Sequence, residues 1–241
     1  MTEHIYKYPR LYLNAPCAKN AKIILHGDQA HYLKNVLRKD VGDILRIFNG
    51  AEGEWLACID SLSKKNGELD LTDQIKPQAP PRKTLHLLFS PIKKQRMDVL
   101  IEKAVELGVT DLTPVLMHRT ENRKINEDRL NAQIIEAAEQ SERLDIPKLH
   151  PLIKLPHLLS KGIGGVEVFT ALEREPSAKS LHEYDYKAGA AFLIGPEGGF
   201  DEQERVSILS SEDIRVIDLG NGILRAETAA LACLSYVLLS K

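Results

Sequence analysis

Cysteine is scarce in this 241-residue chain: Cys17, Cys58 and Cys233 are an odd number and far apart. Such a set offers neither a disulfide framework nor the paired spacing of zinc and redox sites, so the three read as small core residues in a reducing compartment. Positive charge is not in surplus, since the formal net charge is -2 at pH 7. That excludes a uniformly basic protein but leaves room for a local basic patch. Long apolar runs are missing as well. The opening MTEHIYKYPR lacks the apolar core of a secretory signal, and the longest C-terminal run, ALACLSYVLL, is too short for a bilayer. A cytoplasmic protein without a membrane partner is the expectation. No repeat or low-complexity tract stands out. What is there is ordinary globular composition, 43% hydrophobic and 27% charged, on a chain long enough for one large domain or for a domain with a small companion.

The first part reads as short strands: RLYL, KIIL, DILRIF closed by Asn49-Gly50, EWLACI, and ELDLTDQI after Asn66-Gly67. One helix interrupts them, GDQAHYLKNVLR, with Asp28 as N-cap and Ala30, Leu33, Val36 and Leu37 on one side. This pattern predicts a small, partly closed β-barrel. The proline-rich IKPQAPPRK is the best linker, so the division expected is residues 1–75, a linker at 76–83, and a second domain at 84–241. In that second domain strands and helices alternate: LHLLFS, RMDVLIEKAVELG, DLTPVLM, a helix with Leu130, Ile134, Ile135 and Ala138 on one face, VEVFTAL, AAFLIG, a helix after Phe200, DIRVIDLG, and a terminal helix from about Arg225. Alternation of this kind predicts a mostly parallel α/β sheet.

The stretch FLIGPEGGFDEQE, residues 192–204, is the chain's most distinctive turn. A glycine-rich passage from strand to helix is a candidate phosphate cradle, because bare N–H groups and the helix dipole attract anions there. Asp201 followed by Glu204 predicts a capping box that occupies those N–H groups itself, and Glu197, Asp201, Glu202 and Glu204 would repel a phosphate. No P-loop lysine follows, and the GIGG at 162–165 precedes a strand where a dinucleotide fingerprint must follow one. A phosphate-free, cationic adenosine compound is compatible with such a loop, and S-adenosylmethionine is one. A second loop, DLGNGILRAETAALACL, again runs from a strand through glycines into a helix. Two such loops from neighbouring parallel strands would share one sheet edge, where ligands of open α/β sheets bind.

LIGPEGGFDEQE followed by LGNGILRAETAAL resembles the paired signature of the SPOUT methyltransferases. KKQRMDVLIEKAVELGV, EAAEQSER with Pro147 soon after, and HYLKNVLRKDVGD narrow the resemblance to the small-subunit (16S) ribosomal RNA uridine N3-methyltransferases, over nearly the whole chain. It implies an α/β domain with a C-terminal trefoil knot that binds S-adenosylmethionine, a preceding PUA-like β-barrel for RNA, a homodimer with each site at the subunit interface, and no metal. It carries cofactor-binding roles onto Leu172, onto Ile194, Gly195, Pro196, Glu197, Gly198 and Gly199, and onto Leu219, Gly220, Ile223, Leu224, Thr228 and Ala229.

Arg82, Lys83, Lys93, Lys94 and Arg96 stand in a stretch without an acid, and with Arg119, Arg123, Lys124 and Arg143 they are candidates for a phosphate-binding RNA face. Arg38, Lys39 and Arg46 are weaker ones. For methyl transfer to uracil N3, Arg225 is the candidate for stabilising charge on the base or holding the target phosphate, with a salt bridge to Glu197 or Glu227 as its structural alternative. Glu227 is the candidate base, although acids are common in a first helical turn for dipole reasons. Ribose 2'-O-methylation by the same fold, and a non-catalytic RNA-binding role, stay open at this point.

Overall fold

The computed structural model describes residues 5–81 and 83–240. The chain divides into two compact units, one reaching to Pro80 and including Ala138–Ile146, the other formed by Pro81–Ala137 and the residues from Pro147 on. The linear division expected at 76–83 leaves out the return of 138–146.

In the first unit β1 (Arg10–Tyr12), β2 (Lys22–His26), β3 (Ile44–Phe48), β4 (Glu54–Leu62) and β5 (Asn66–Lys76) form one sheet in the order β1-β3-β4-β5-β2. Only the β1–β3 pair is parallel. Alternate residues of β2 are buried, Ile23 and Leu25, as a half-buried strand requires. Asn49 makes the turn after β3 by accepting from the backbone N–H groups of Ala51 and Glu52. The turn expected at Asn66-Gly67 lies one step earlier, where the Ser63 hydroxyl accepts from the Asn66 N–H and Asn66 already belongs to β5.

The helix expected from residue 27 is half right. Asp28 is its first residue rather than its cap, and α1 (Asp28–His31) passes at once into a π turn over Tyr32–Val36. That turn, closed by the Leu37 N–H on the Tyr32 carbonyl, shifts the helical phase. Ala30 and Leu33 stay buried, while Val36 swings out to 57% exposure.

The return segment is held by buried charge. Arg10 donates to the Glu54 carboxylate at 2.6 Å and to the carbonyls of Ala138 and Arg143, and Arg46 donates to Glu142 at 2.7 Å. Glu54 is fully buried. Losing either partner of such a pair would leave an uncompensated interior charge, which costs about 3–5 kcal/mol. Arg46 is therefore committed to this network, which argues against its weak candidacy for RNA.

In the second unit β6 (Leu85–Phe89), α2 (Lys94–Glu106), β7 (Asp111–Leu116), α3 (Glu127–Gln140, its last three residues counted with the first unit), β8 (Lys148–Leu149), β9 (Ile153–Lys154), α4 (Leu155–Lys161), β10 (Val168–Ala171), β11 (Lys179–Ser180), β12 (Ala190–Ile194), α5 (Glu202–Leu209), β13 (Ile214–Asp218) and α6 (Ala226–Leu239) follow in order. The strands run β11-β13-β10-β12-β6-β7-β8, all parallel, and β9 also pairs with β7. Every residue of β6 and β12 is buried, as expected of central strands covered on both faces. Leu130, Ile134 and Ala138 are the buried stripe of α3, with Ile135 half-buried. Gly108, at φ 89°, ends α2. Among the described residues no helix is long and apolar enough to cross a membrane.

Candidate functional site

Parallel strands deliver their carboxyl ends to one edge, and three of those ends meet there. The glycine loops follow β12 and β13, but these strands are not neighbours as expected; β10 lies between them and pairs with both. Its own exit, residues 171–174, therefore joins the two loops. Together they enclose a cavity of about 730 Å³.

Leu172, the whole run Ile194–Gly199, Leu219, Gly220, Ile223, Leu224 and Ala229 line this cavity, and so do Arg96, Arg119 and Arg225. Thr228 and Glu227 do not line it. Glu173 and Arg174, which the sequence reading passed over, do; the available signal was their place just after the third strand to end at this edge.

Backbone conformation explains the glycines individually. Gly199 (φ 69°) and Gly220 (φ 100°) sit where side chains are disfavoured, and a Cβ built on either would meet no heavy atom within 4 Å. Space beside the main chain is thus open at both positions, and both residues line the cavity. Gly195 differs: a Cβ there would lie 3.0 Å from the Phe200 ring. Arg119 crosses the first loop and donates to the Gly198 carbonyl at 2.7 Å.

The expected capping box is present. Asp201 accepts from the Glu204 N–H at 2.7 Å, and Glu204 accepts from the Asp201 N–H at 3.0 Å. Glu204 also accepts from the His118 N–H. These carboxylates face the helix start and not the cavity. Of the four acids expected to crowd the loop only Glu197 lines it, beside Glu173 and Asp218, and five arginines line it too. The expectation of a site made anion-repellent by carboxylates is corrected accordingly; what keeps anions off the helix N-terminus is the box itself.

Charge pairing differs from the expected pattern. Arg96, expected on an RNA face, stands between two acids, its Nη1 3.5 Å from Glu197 and its Nε 3.7 Å from Glu227. Arg225 precedes α6 as its N-cap residue without a side-chain cap bond. No ion pair involving it occurs among the described residues, so the structural alternative of pairing with Glu197 or Glu227 is taken by Arg96. Glu227 Oε2 is buried without a hydrogen-bond partner among the described residues.

The remaining basic candidates divide. Lys83 caps the C-terminal end of α6, donating to the Ser240 carbonyl at 3.1 Å. Arg143 is mostly buried, ion-paired with Asp145, and belongs to the first unit. Both are structural, which corrects their assignment to the RNA face. Arg82 lies outside the described residues. Lys93 approaches Glu121 at 3.8 Å, whereas Lys94, Arg123 and Lys124 are exposed. No group of His, Cys, Asp or Glu that could hold a metal occurs among the described residues.

The model of an RNA methyltransferase domain matches residues 79–238, and that of an RNA methyltransferase PUA domain matches residues 25–72. A Rickettsia conorii protein named ribosomal RNA small subunit methyltransferase E is 37% identical, over 96% of this chain and 95% of its own. The Bacillus subtilis protein of the same name is 28% identical, over 88% and 87%. Among solved structures, ribosomal RNA small subunit methyltransferase E of Neisseria gonorrhoeae bound to S-adenosylmethionine superposes with a TM-score of 0.83 at 29% identity, over 95% of this chain and 96% of that one. A Legionella pneumophila methyltransferase solved with the same cofactor gives 0.86 at 26% identity, over 96% and 97%. The chain belongs to this family of RNA methyltransferases, with its PUA domain and its parallel α/β methyltransferase domain.

Proposed function

We propose that the larger unit holds S-adenosylmethionine in the cavity at its strand ends and methylates N3 of a uridine in small-subunit (16S) ribosomal RNA. One observation carries the reading: two glycine loops with open space beside their backbone close a single cavity, and Arg225 lines it without an ion-pair partner among the described residues. The residues fit the cofactor. Leu172, Ile194, Leu219 and Leu224 offer apolar walls for adenine, and Glu197 offers the anion that a cationic ligand prefers. When bound, the cofactor supplies a methyl group activated by a positive sulfonium.

The chain's own residues then have two tasks. Uracil N3 carries a proton and is a poor nucleophile until that proton is lost or shared. Arg225 steadies the negative charge that builds on the base or grips its phosphate. Glu227 does not itself line the cavity; paired with Arg96, which does, and with one oxygen unbonded among the described residues, it is the base in this reading. Holding the uracil in line is the larger part of the rate, because orientation is paid for in binding.

The PUA-like domain, residues 1–75, followed by the linker 76–83, binds RNA, and within the methyltransferase domain, residues 84–241, Lys93, Lys94, Arg123 and Lys124 bind it as well. The α/β domain is of SPOUT type, with a trefoil knot around the cofactor. A homodimer completes the site, consistent with Ile223 at 67% exposure on the cavity rim. The setting is the cytoplasm, with 16S rRNA, free or within the small ribosomal subunit, as the target.

Labelled S-adenosylmethionine, the purified protein and small ribosomal subunits lacking the modification provide the test. Mass spectrometry of the nucleosides is expected to find the methyl group on the uracil base. A methyl group on a ribose 2'-oxygen, or no transfer to free or assembled rRNA, would overturn the reading.

A further inference from the structure

A second cavity of about 240 Å³ lies where the first turn of α2 meets the segment before and into α3. Its apolar lining is Ile92, Met97, Ile125 and Leu130. Its polar lining is two amides, Asn122 and Asn126, and three cations, Lys94, Lys124 and Arg129; no acid lines it. Arg129 is ion-paired with Asp98. Lys94 and Lys124 have no ion pair among the described residues.

The two amides are only half used. Asn122 donates its side-chain N–H to the Ile92 carbonyl at 2.8 Å, which leaves its oxygen as an acceptor. Asn126 accepts from the Arg129 N–H at 2.9 Å, which leaves its NH₂ group as a donor. An apolar floor with one acceptor, one donor and two cations that are unpaired among the described residues matches a particular chemistry. A nucleobase is flat and apolar on its faces, carries donors and acceptors on its edge, and hangs from an anionic phosphate.

Placement supports the match. One helical turn separates the two cavities: Arg96 lines the large one, while Lys94 and Met97 line the small one. A strand crossing that turn would present successive nucleotides to each.

We infer that this second cavity receives an unpaired nucleotide of the RNA strand flanking the modified one, base on the Ile92–Ile125 floor and phosphate at Lys94 and Lys124. The inference rests on the functional reading above and adds a second reading point for the substrate strand. It explains why an uncharged pocket floor is ringed by cations and not by the mixed charges of an ordinary surface.

The test is fluorescence anisotropy with a short, labelled single-stranded RNA, run beside calorimetry with S-adenosylmethionine and transfer to small ribosomal subunits. Ile125→Asp places a carboxylate on the floor and is expected to weaken RNA binding at least tenfold, with cofactor affinity unchanged. The double substitution Lys94→Ala, Lys124→Ala is expected to raise KM for the particles, leave kcat, and flatten the salt dependence of binding by about one to two phosphate contacts. Ile125→Ala, a milder change, is the control for folding and should weaken binding without altering the salt slope. Wild-type affinity in Ile125→Asp and in the double variant, while methyl transfer proceeds, would overturn the second cavity alone. Absence of transfer by the unaltered protein would instead overturn the functional reading. Competition by polyglutamate that is abolished by Ile125→Asp would reassign the cavity to an acidic protein segment and overturn the nucleotide.

Discussion

The Nε of Arg96 lies 3.7 Å from Oε1 of Glu227, whose other oxygen is buried without a hydrogen-bond partner among the described residues. Burying a carboxylate without a partner is costly, and here the cation beside it also reaches Glu197. Arg96 therefore ties the first glycine loop to the first turn of α6.

Arg96→Ala is expected to reduce both thermal stability and S-adenosylmethionine affinity, because it frees the Glu197 loop and strands Glu227 together. A double-mutant cycle with Glu227→Gln should return a coupling of about 1 kcal/mol, the scale for contacting charged residues. Strict additivity of the two substitutions in thermal unfolding would show that the pair does not interact.

Much of this arrangement was legible locally and little of it at long range. The Asp201/Glu204 box could be read because both partners sit within four residues and the bonds are dictated by helix geometry. The glycine loops could be read because their backbone demands glycine. The phase slip at Val36 could not, since a π turn leaves no mark in apolar spacing. The helix α4 was missed because its seven residues give too short a period to count. The roles of Arg96 and Lys83 depend on partners far along the chain, so composition alone placed both on an RNA face. Likewise β10 between β12 and β13 is a fact of topology that no local pattern encodes.

The two kinds of glycine in the first loop should respond differently. In Gly195→Ala the new methyl meets the Phe200 ring at 3.0 Å, so the ring must move and the cavity wall with it. In Gly199→Ala the methyl meets nothing, and the cost is backbone strain of about 1–2 kcal/mol at positive φ. Thermal unfolding should therefore fall in both. Cofactor affinity is expected to fall more for Gly195→Ala, and Gly199→Val should lose cofactor binding, since its branched side chain enters the open space the ligand uses. Calorimetry showing unimpaired binding in Gly199→Val would remove that loop from the site.

At the opposite edge of the sheet, His86 gives a pH dependence. It is buried, hydrogen-bonded to Thr113 at 2.7 Å and stacked on His150, and burial pushes its pKa down from 6.5 to about 4. A histidine depressed in this way is neutral when folded and takes a proton more readily when unfolded. Stability is thus intact above about pH 6.5, declines as pH falls below it, and levels off near pH 4, for a total of about 3 kcal/mol. Urea unfolding of the native protein and of His86→Asn at pH 7.5 and pH 5 isolates this contribution. The native protein should lose more stability than the variant over that interval; equal losses would mean that His86 does not titrate there.

Arg225 offers the sharpest separation of chemistry from binding. Arg225 lines the cavity and no ion pair involving it occurs among the described residues, so its removal takes away no internal contact of that kind. Arg225→Ala is expected to leave thermal stability and S-adenosylmethionine affinity near their native values while turnover falls about a hundredfold, the usual scale for losing a preorganised charge stabiliser. If the lost interaction is with charge developing on the uracil, raising the pH should restore part of the rate, because more of the base is then already ionised. If Arg225 instead grips the target phosphate, KM for the ribosomal particle should rise and alkaline rescue should be missing. Loss of cofactor affinity and stability together would place Arg225 in the structural network with Arg96, Glu197 and Glu227. Native turnover in the variant would remove it from the reaction altogether.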